Sequence, residues 1–168
     1  MHGGIAGGAH IILIPEIPFD YDKIAAAINA RAERGSLSAI VVVAEGACPR
    51  DGQIVMRPNQ EGEYRMGGIG DIVAREIAAR TGKETRCTVL GHLQRGGAPT
   101  TLDRILGTRF GVKAVKLIQE KQFGSMVSYQ SYQVRHVPIA DAVNRLRLVP
   151  PDGELVQTAR AVEISFGD

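Results

Sequence analysis

The sequence has no tryptophan, and aromatic residues supply only 5% of its 168 positions. Proteins that bind single-stranded nucleic acid stack bases on aromatic platforms, so that class has little support. Cysteine is scarce too. Cys48 and Cys87 stand far apart with no CxxC spacing. They cannot form a disulfide framework, and they read as reduced thiols of a cytoplasmic protein. No apolar run approaches the 18 residues that a membrane span needs. The opening Met-His-Gly-Gly lacks a basic stretch followed by an apolar one, so no secretory leader is expected. A net charge of +2 gives no strong field of either sign. There is no G-x-x-x-x-G-K-[ST] loop, no G-x-G-x-x-G, no H-E-x-x-H and no serine elbow. The four histidines are scattered, so no metal site is expected.

What is present is an apolar fraction of 44%, enough for a folded core, and an excess of glycine. The 20 glycines of 168 residues exceed the typical share of ~7%. Charge is unevenly placed. Arg80 to Lys116 carries eight Lys/Arg against two Asp/Glu, a local +6 that leaves −4 for the rest. A basic middle in a near-neutral chain suits a small acidic ligand.

The pattern along the chain is alternation. Ile11–Ile14, Ala39–Val43 and Cys87–Leu90 are short continuous apolar runs, the mark of strands buried on both faces. Between the first two, Asp20 caps a helix carrying Ile24, Ala27 and Ile28. Between the last two, Ile69, Ile72, Val73 and Ile77 mark a helix ending at Thr81-Gly82. Glu45 to Arg65, rich in Gly, Pro and Asn, reads as a long surface loop. Thr100-x-x-Asp103 opens a further helix whose apolar stripe runs from Leu102 to Ile118. Met126–Tyr129 and Val134–Val137 are weaker strands, Ile139–Leu146 is helical, and Ala161–Ser165 is a possible last strand. Strand and helix in alternation predict an α/β fold with a parallel sheet.

In such sheets ligands bind beyond the carboxyl ends of the strands. Glu16 follows the first run, Glu45 the second, and Gly91-His-Leu-Gln-Arg-Gly-Gly the third, which is led in by Arg86. His92 and Arg95 offer two donors for an anion, and Arg grips phosphate oxygens in a fork. An ionised Glu45 only accepts, which suits sugar hydroxyls. A cationic end and an acceptor end together fit a phosphorylated polyol.

The stretch Thr88-Val-Leu-Gly-His-Leu-Gln-Arg-Gly-Gly-Ala-Pro-Thr-Thr-Leu-Asp-Arg-Ile-Leu resembles the 6-phosphofructokinase family, as do Gly7-Gly-Ala-His-Ile-Ile-Leu-Ile-Pro-Glu16 and Ala39-Ile-Val-Val-Val-Ala-Glu-Gly46. The resemblance spans about residues 3–150 and corresponds only to the C-terminal half of such an enzyme. It implies a parallel-sheet, Rossmann-like three-layer lobe. Residues 1–95 would form the fructose-6-phosphate-binding lobe, 96–133 would belong with the phosphate-donor lobe, and 134–168 would return to the first. Glu45 would accept from fructose hydroxyls, His92 and Arg95 would hold the 6-phosphate, and Arg86 would reach it from a neighbouring subunit. Glu16 and Arg34 are the candidates for an effector site, although Ser36 and Leu37 replace basic residues of the family pattern. The Glu45–Arg65 loop is longer than the short bacterial form and resembles a branch with both ATP- and pyrophosphate-dependent members. The family's donor loops, catalytic Asp and Met-Gly-Arg motif belong to its other half, so no catalytic residue is expected in this chain. The resemblance implies Mg²⁺ and ATP or pyrophosphate in the whole enzyme, none bound by this chain alone, and a cytoplasmic homo-oligomer. It implies no nucleic acid or membrane partner. A non-catalytic module that binds a phosphometabolite is the competing expectation.

Overall fold

A computed structural model describes residues 1–50, 52, 55–58, 64–144 and 146–168. In chain order the elements are α1 (His2–Ala6), β1 (Ile11–Leu13), α2 (Tyr21–Glu33), β2 (Val41–Val43), β3 (Met56–Pro58), β4 (Tyr64–Met66) and α3 (Ile69–Thr81). A 3₁₀ turn over Gly91–Arg95 follows, then α4 (Thr101–Gln119), β5 (Ser125–Gln130), β6 (Gln133–Pro138), α5 (Ile139–Val143) and α6 (Glu154–Ala161). The chain divides into two compact units, residues 1–89 with 148–168, and residues 90–147.

The first unit is built on β1. Ile11, Ile12, Leu13 and Ile14 are all buried. Side chains alternate across a strand, so two cores form. Ile11 and Leu13 pack with Ile24 and Ile28 of α2 and Val73 and Ile77 of α3. Ile12 and Ile14 pack with Val156 and Ala159 of α6 and with Phe166. Helices thus cover both faces of the strand, the three-layer arrangement of an α/β lobe. β1 pairs in parallel with β2, from Ile11 opposite Val41 to Leu13 opposite Val43. Ser165 pairs in parallel on the other side of Ile11.

The helix ends follow from local chemistry. The Asp20 carboxylate accepts from the backbone N–H groups of Asp22 and Lys23 and caps α2. α3 stops at Gly82, whose φ of +65° is left-handed backbone that glycine adopts at little cost.

In the second unit Thr100 and Asp103 form the reciprocal capping box of α4. β5 and β6 make an antiparallel hairpin from Ser125 opposite Pro138 to Gln130 opposite Gln133. The apolar residues of α4 fall on two sides of the helix. Leu106, Phe110, Ala114 and Leu117 are the better covered, with Leu117 buried. Leu102, Ile105, Val112 and Val115 are exposed.

Three expectations are corrected. Cys87–Leu90 forms no strand. Val89 is 74% and Leu90 53% exposed. A β run needs a neighbouring ladder, and no described strand pairs with this one. The Glu45–Arg65 stretch is not wholly loop, because β3 and β4 pair antiparallel between Met56 and Met66. Its polar composition hid a ladder made by backbone alone; residues 51, 53, 54 and 59–63 of that stretch lie outside the described residues. The tail is a helix over Glu154–Ala161, and its strand character reduces to the single bridge at Ser165.

Candidate functional site

β2 delivers the chain to the carboxyl edge of the sheet. The N–H of Ala44 still donates to the Leu13 carbonyl (2.9 Å), and a tight turn closes with Ala47 N–H donating to Ala44 (2.9 Å). Glu45 lies in that turn and is exposed. Its Oε1 lies beside Gly67, 3.4 Å from where a Cβ would stand. Gly67 leads into Gly68, the N-cap of α3, whose φ of +87° again calls for glycine. The Glu45 carboxylate therefore sits beside the start of a 13-residue helix, the end that favours negative charge.

The same helix start receives the segment that contains Arg86. Cys87 Sγ lies 3.2 Å from the position of a Cβ on Gly70. The Cys87 thiol is pushed up from its ordinary value, first by desolvation and then by its hydrogen bond to Asp71. Glu45 and the Arg86 segment are thus gathered around the first turn of α3. The Arg86 guanidinium points into solvent and is held by Glu84, with Nε and Nη2 donating to Oε1 at 2.9 and 2.7 Å.

His92 and Arg95 lie in the second unit, on the 3₁₀ turn over Gly91–Arg95. In a 3₁₀ turn the side chains at i and i+3 eclipse, so both project from one face. Leu93 N–H donates to Leu90 (2.9 Å), and Gly96 N–H donates to Leu93 (3.0 Å). Gly91 at φ +50° and Gly97 at φ +103° bracket the turn. Both side chains are exposed, so two donors stand open to an anion.

Glu16 and Arg34 are not brought together. Glu16 follows β1 at the carboxyl edge of the sheet, where its Oε1 accepts from Val149 N–H (2.9 Å). Arg34 ends α2, the helix that carries the chain back to the amino edge, where its Nη1 pairs with Glu163 at 3.1 Å. Glu16 instead lines a cleft of about 370 Å³ with Arg50, Asp152, Arg160 and Asp168. Its Oε2 is buried there with no hydrogen-bond partner among the described residues. Arg160 grips Asp168 through Nη1 (3.0 Å) and Nη2 (2.5 Å), which holds the Asp168 carboxyl below its ordinary 3.8.

Sequence reasoning passed over the Gly67-Gly68 turn and His10. The first signal was available, since consecutive glycines directly before a helical pattern mark a close backbone approach. The second was not, because the importance of His10 lies in a partner 30 residues away. Among the described residues, no three His, Cys, Asp or Glu side chains converge to hold a metal ion.

A family model described as phosphofructokinase matches residues 1–118. The chain belongs to the phosphofructokinase family. It is 45% identical over 168 residues to the ATP-dependent 6-phosphofructokinase of Chloroflexus aurantiacus, covering 100% of this chain and 46% of that protein. It is 47% identical over 154 residues to the pyrophosphate–fructose 6-phosphate 1-phosphotransferase of Streptomyces coelicolor, covering 90% of this chain and 45% of that one. Pichia pastoris phosphofructokinase, solved in its T-state, superposes with a TM-score of 0.62 at 32% identity, over 98% of this chain and 17% of that one. The pyrophosphate-dependent phosphofructokinase of Nitrosospira multiformis gives a TM-score of 0.65 at 22% identity, over 94% and 41% of the two chains. The chain spans about half the length of the curated relatives it matches. Within this phosphofructokinase-family chain, no helix of the described residues is long and apolar enough to cross a membrane.

Proposed function

We propose that this chain is the sugar-phosphate-binding half of a 6-phosphofructokinase, the enzyme that converts fructose 6-phosphate to fructose 1,6-bisphosphate. What carries the reading is the exposed 3₁₀ face of His92 and Arg95, two donors three residues apart and bracketed by glycine. They hold the 6-phosphate. Glu45 accepts from the sugar hydroxyls, steadied by the start of α3. Arg86 adds a second guanidinium to the phosphate from a neighbouring subunit, so the working form is an oligomer. Residues 1–95 and 134–168 serve the sugar lobe, and 96–133 serve the donor lobe. Phosphoryl transfer works by positioning and by neutralising charge on the moving group. Mg²⁺ and the donor, ATP or pyrophosphate, are held by residues outside this chain. The setting is the cytoplasm.

The test is a chimera in which these 168 residues replace the matched part of the Chloroflexus aurantiacus enzyme. The expected result is fructose 6-phosphate binding and turnover. Binding without turnover would locate the fault at the junction and keep the reading. A folded chimera that fails to bind fructose 6-phosphate would overturn it.

A further inference from the structure

We propose that His10 is a pH-sensitive latch on the amino edge of the first unit's sheet, closed while its imidazole is neutral and opened when it is protonated. His10 is the last residue before β1, and Ile40 is the last before β2. Two hydrogen bonds join them. His10 N–H donates to the Ile40 carbonyl at 2.9 Å. Ile40 N–H donates in return to His10 Nδ1, also at 2.9 Å. The His10 carbonyl accepts from Ser165 N–H at 3.0 Å. Three segments that enter the sheet therefore meet at one residue.

An imidazole nitrogen accepts only when it carries no proton, so this geometry requires the neutral ring with its hydrogen on Nε2. Protonation sets an N–H against an N–H and breaks the return bond. The charges around His10 make matters worse for the cation. Arg31 of α2 repels it, with its Nη2 already donating to Ser36 Oγ at 3.0 Å. Arg34 at the end of α2 and Glu163 beside the Ser165 segment neutralise each other at 3.1 Å. Among the described residues, no carboxylate pairs with His10. Burial and then Arg31 accordingly lower its affinity for protons from the ordinary 6.5.

The sign follows. Between the folded value and 6.5 the unfolded ring binds more protons than the folded one, so stability is full above 6.5 and falls as the pH drops through that window. β2 has only three residues paired with β1, and Glu45 stands two residues past its end. The latch thus acts on the short strand that carries the proposed sugar ligand, a consequence that rests on that assignment; the latch does not.

NMR of the 168-residue chain tests it without any sugar. Long-range ¹⁵N–¹H spectra should show His10 protonated at Nε2 alone at pH 7.5, titrating below 6.5. Exchange protection of the Ile40 amide, corrected for the intrinsic pH dependence of exchange, should fall by up to about tenfold per pH unit as the pH drops from 6.5 to the His10 midpoint, and level off below it. His10→Asn supplies an acceptor that does not titrate, and its Ile40 protection should stay flat. An Nδ1–H tautomer, a His10 midpoint at or above 6.5, or the same acid loss in the folded Asn variant would each overturn the latch. If the Asn variant does not fold, the wild-type tautomer and the co-titration of Ile40 still decide.

Discussion

Arg95 is a surface arginine by exposure, and the proposed function makes it a phosphate ligand. Removing one charge-assisted contact costs about 1.5–3 kcal/mol, so Arg95→Ala in the chimera should raise KM for fructose 6-phosphate about 10- to 150-fold, with the smaller change in kcat. Steady-state kinetics would read this, and an unchanged KM would remove Arg95 from the site. Thr100 is as local a case on the stability side. Its hydroxyl accepts from Asp103 N–H, while the Asp103 carboxylate accepts from both the hydroxyl and the backbone of Thr100 at 2.7 Å. Thr100→Ala should destabilise the second unit by about 1 kcal/mol, measured by chemical denaturation followed on helix signal. The same bonds, hydroxyl first, hold the Asp103 carboxyl below its ordinary 3.8. Its contribution is present above 3.8 and is lost as the pH falls through the lowered folded value. Helicity of wild type should therefore drop in strong acid more than that of Asp103→Ala.

At the scale of elements, the helices were the legible part. Asp20, Thr100 and Gly82 mark ends through bonds to residues two to four positions away, so a reader of the chain can place them. Strands depend on partners far off in sequence. Ile11–Leu13 and Val41–Val43 were readable because each is continuously apolar, and they do pair. Cys87–Leu90, interrupted by Thr88, has no ladder among the described residues. Gly167 shows the limit well. It precedes the last residue and looks dispensable, yet its φ is +72° and a Cβ there would stand 2.9 Å from Ile24 Cγ1 and 3.0 Å from Phe19 Cβ. Its N–H is fixed by Ser165 Oγ at 3.1 Å, and its carbonyl takes Asp20 N–H at 2.7 Å. Gly167→Ala should cost roughly 1–3 kcal/mol, through backbone strain and overpacking between the tail and α2. Thermal unfolding should show a midpoint several degrees lower; an unchanged midpoint would mean the tail is not packed as described.

For the whole molecule, the exposed side of α4 is the apolar surface that stands out. Ile105, Val112 and Val115 are each at least half exposed, and Phe123 lies 73% exposed just beyond the helix. An apolar helix side of this kind in water drives association unless something covers it. The proposed assignment of residues 96–133 to the donor lobe would cover this side, and we expect the isolated chain to self-associate through it. Size-exclusion chromatography across a hundredfold concentration range should show a mass that rises with concentration, and Val112→Glu should suppress the rise. A wild-type chain that stays monomeric throughout would count against this use of the surface.

The amino-acid sequence by itself determined the α/β alternation, the helix caps and the family membership. It also offered Glu45, His92 and Arg95 as candidates, because each sits in a motif only a few residues long. Tertiary structure decided what depends on distant partners. It placed Glu45 against the start of α3 and joined His10 to Ile40. It sent Glu16 and Arg34 to opposite edges of the sheet, since a helix joining two parallel strands must carry the chain from one edge to the other. Such meetings are fixed by the packing of apolar faces, and the residues that meet are separated in sequence by whole elements.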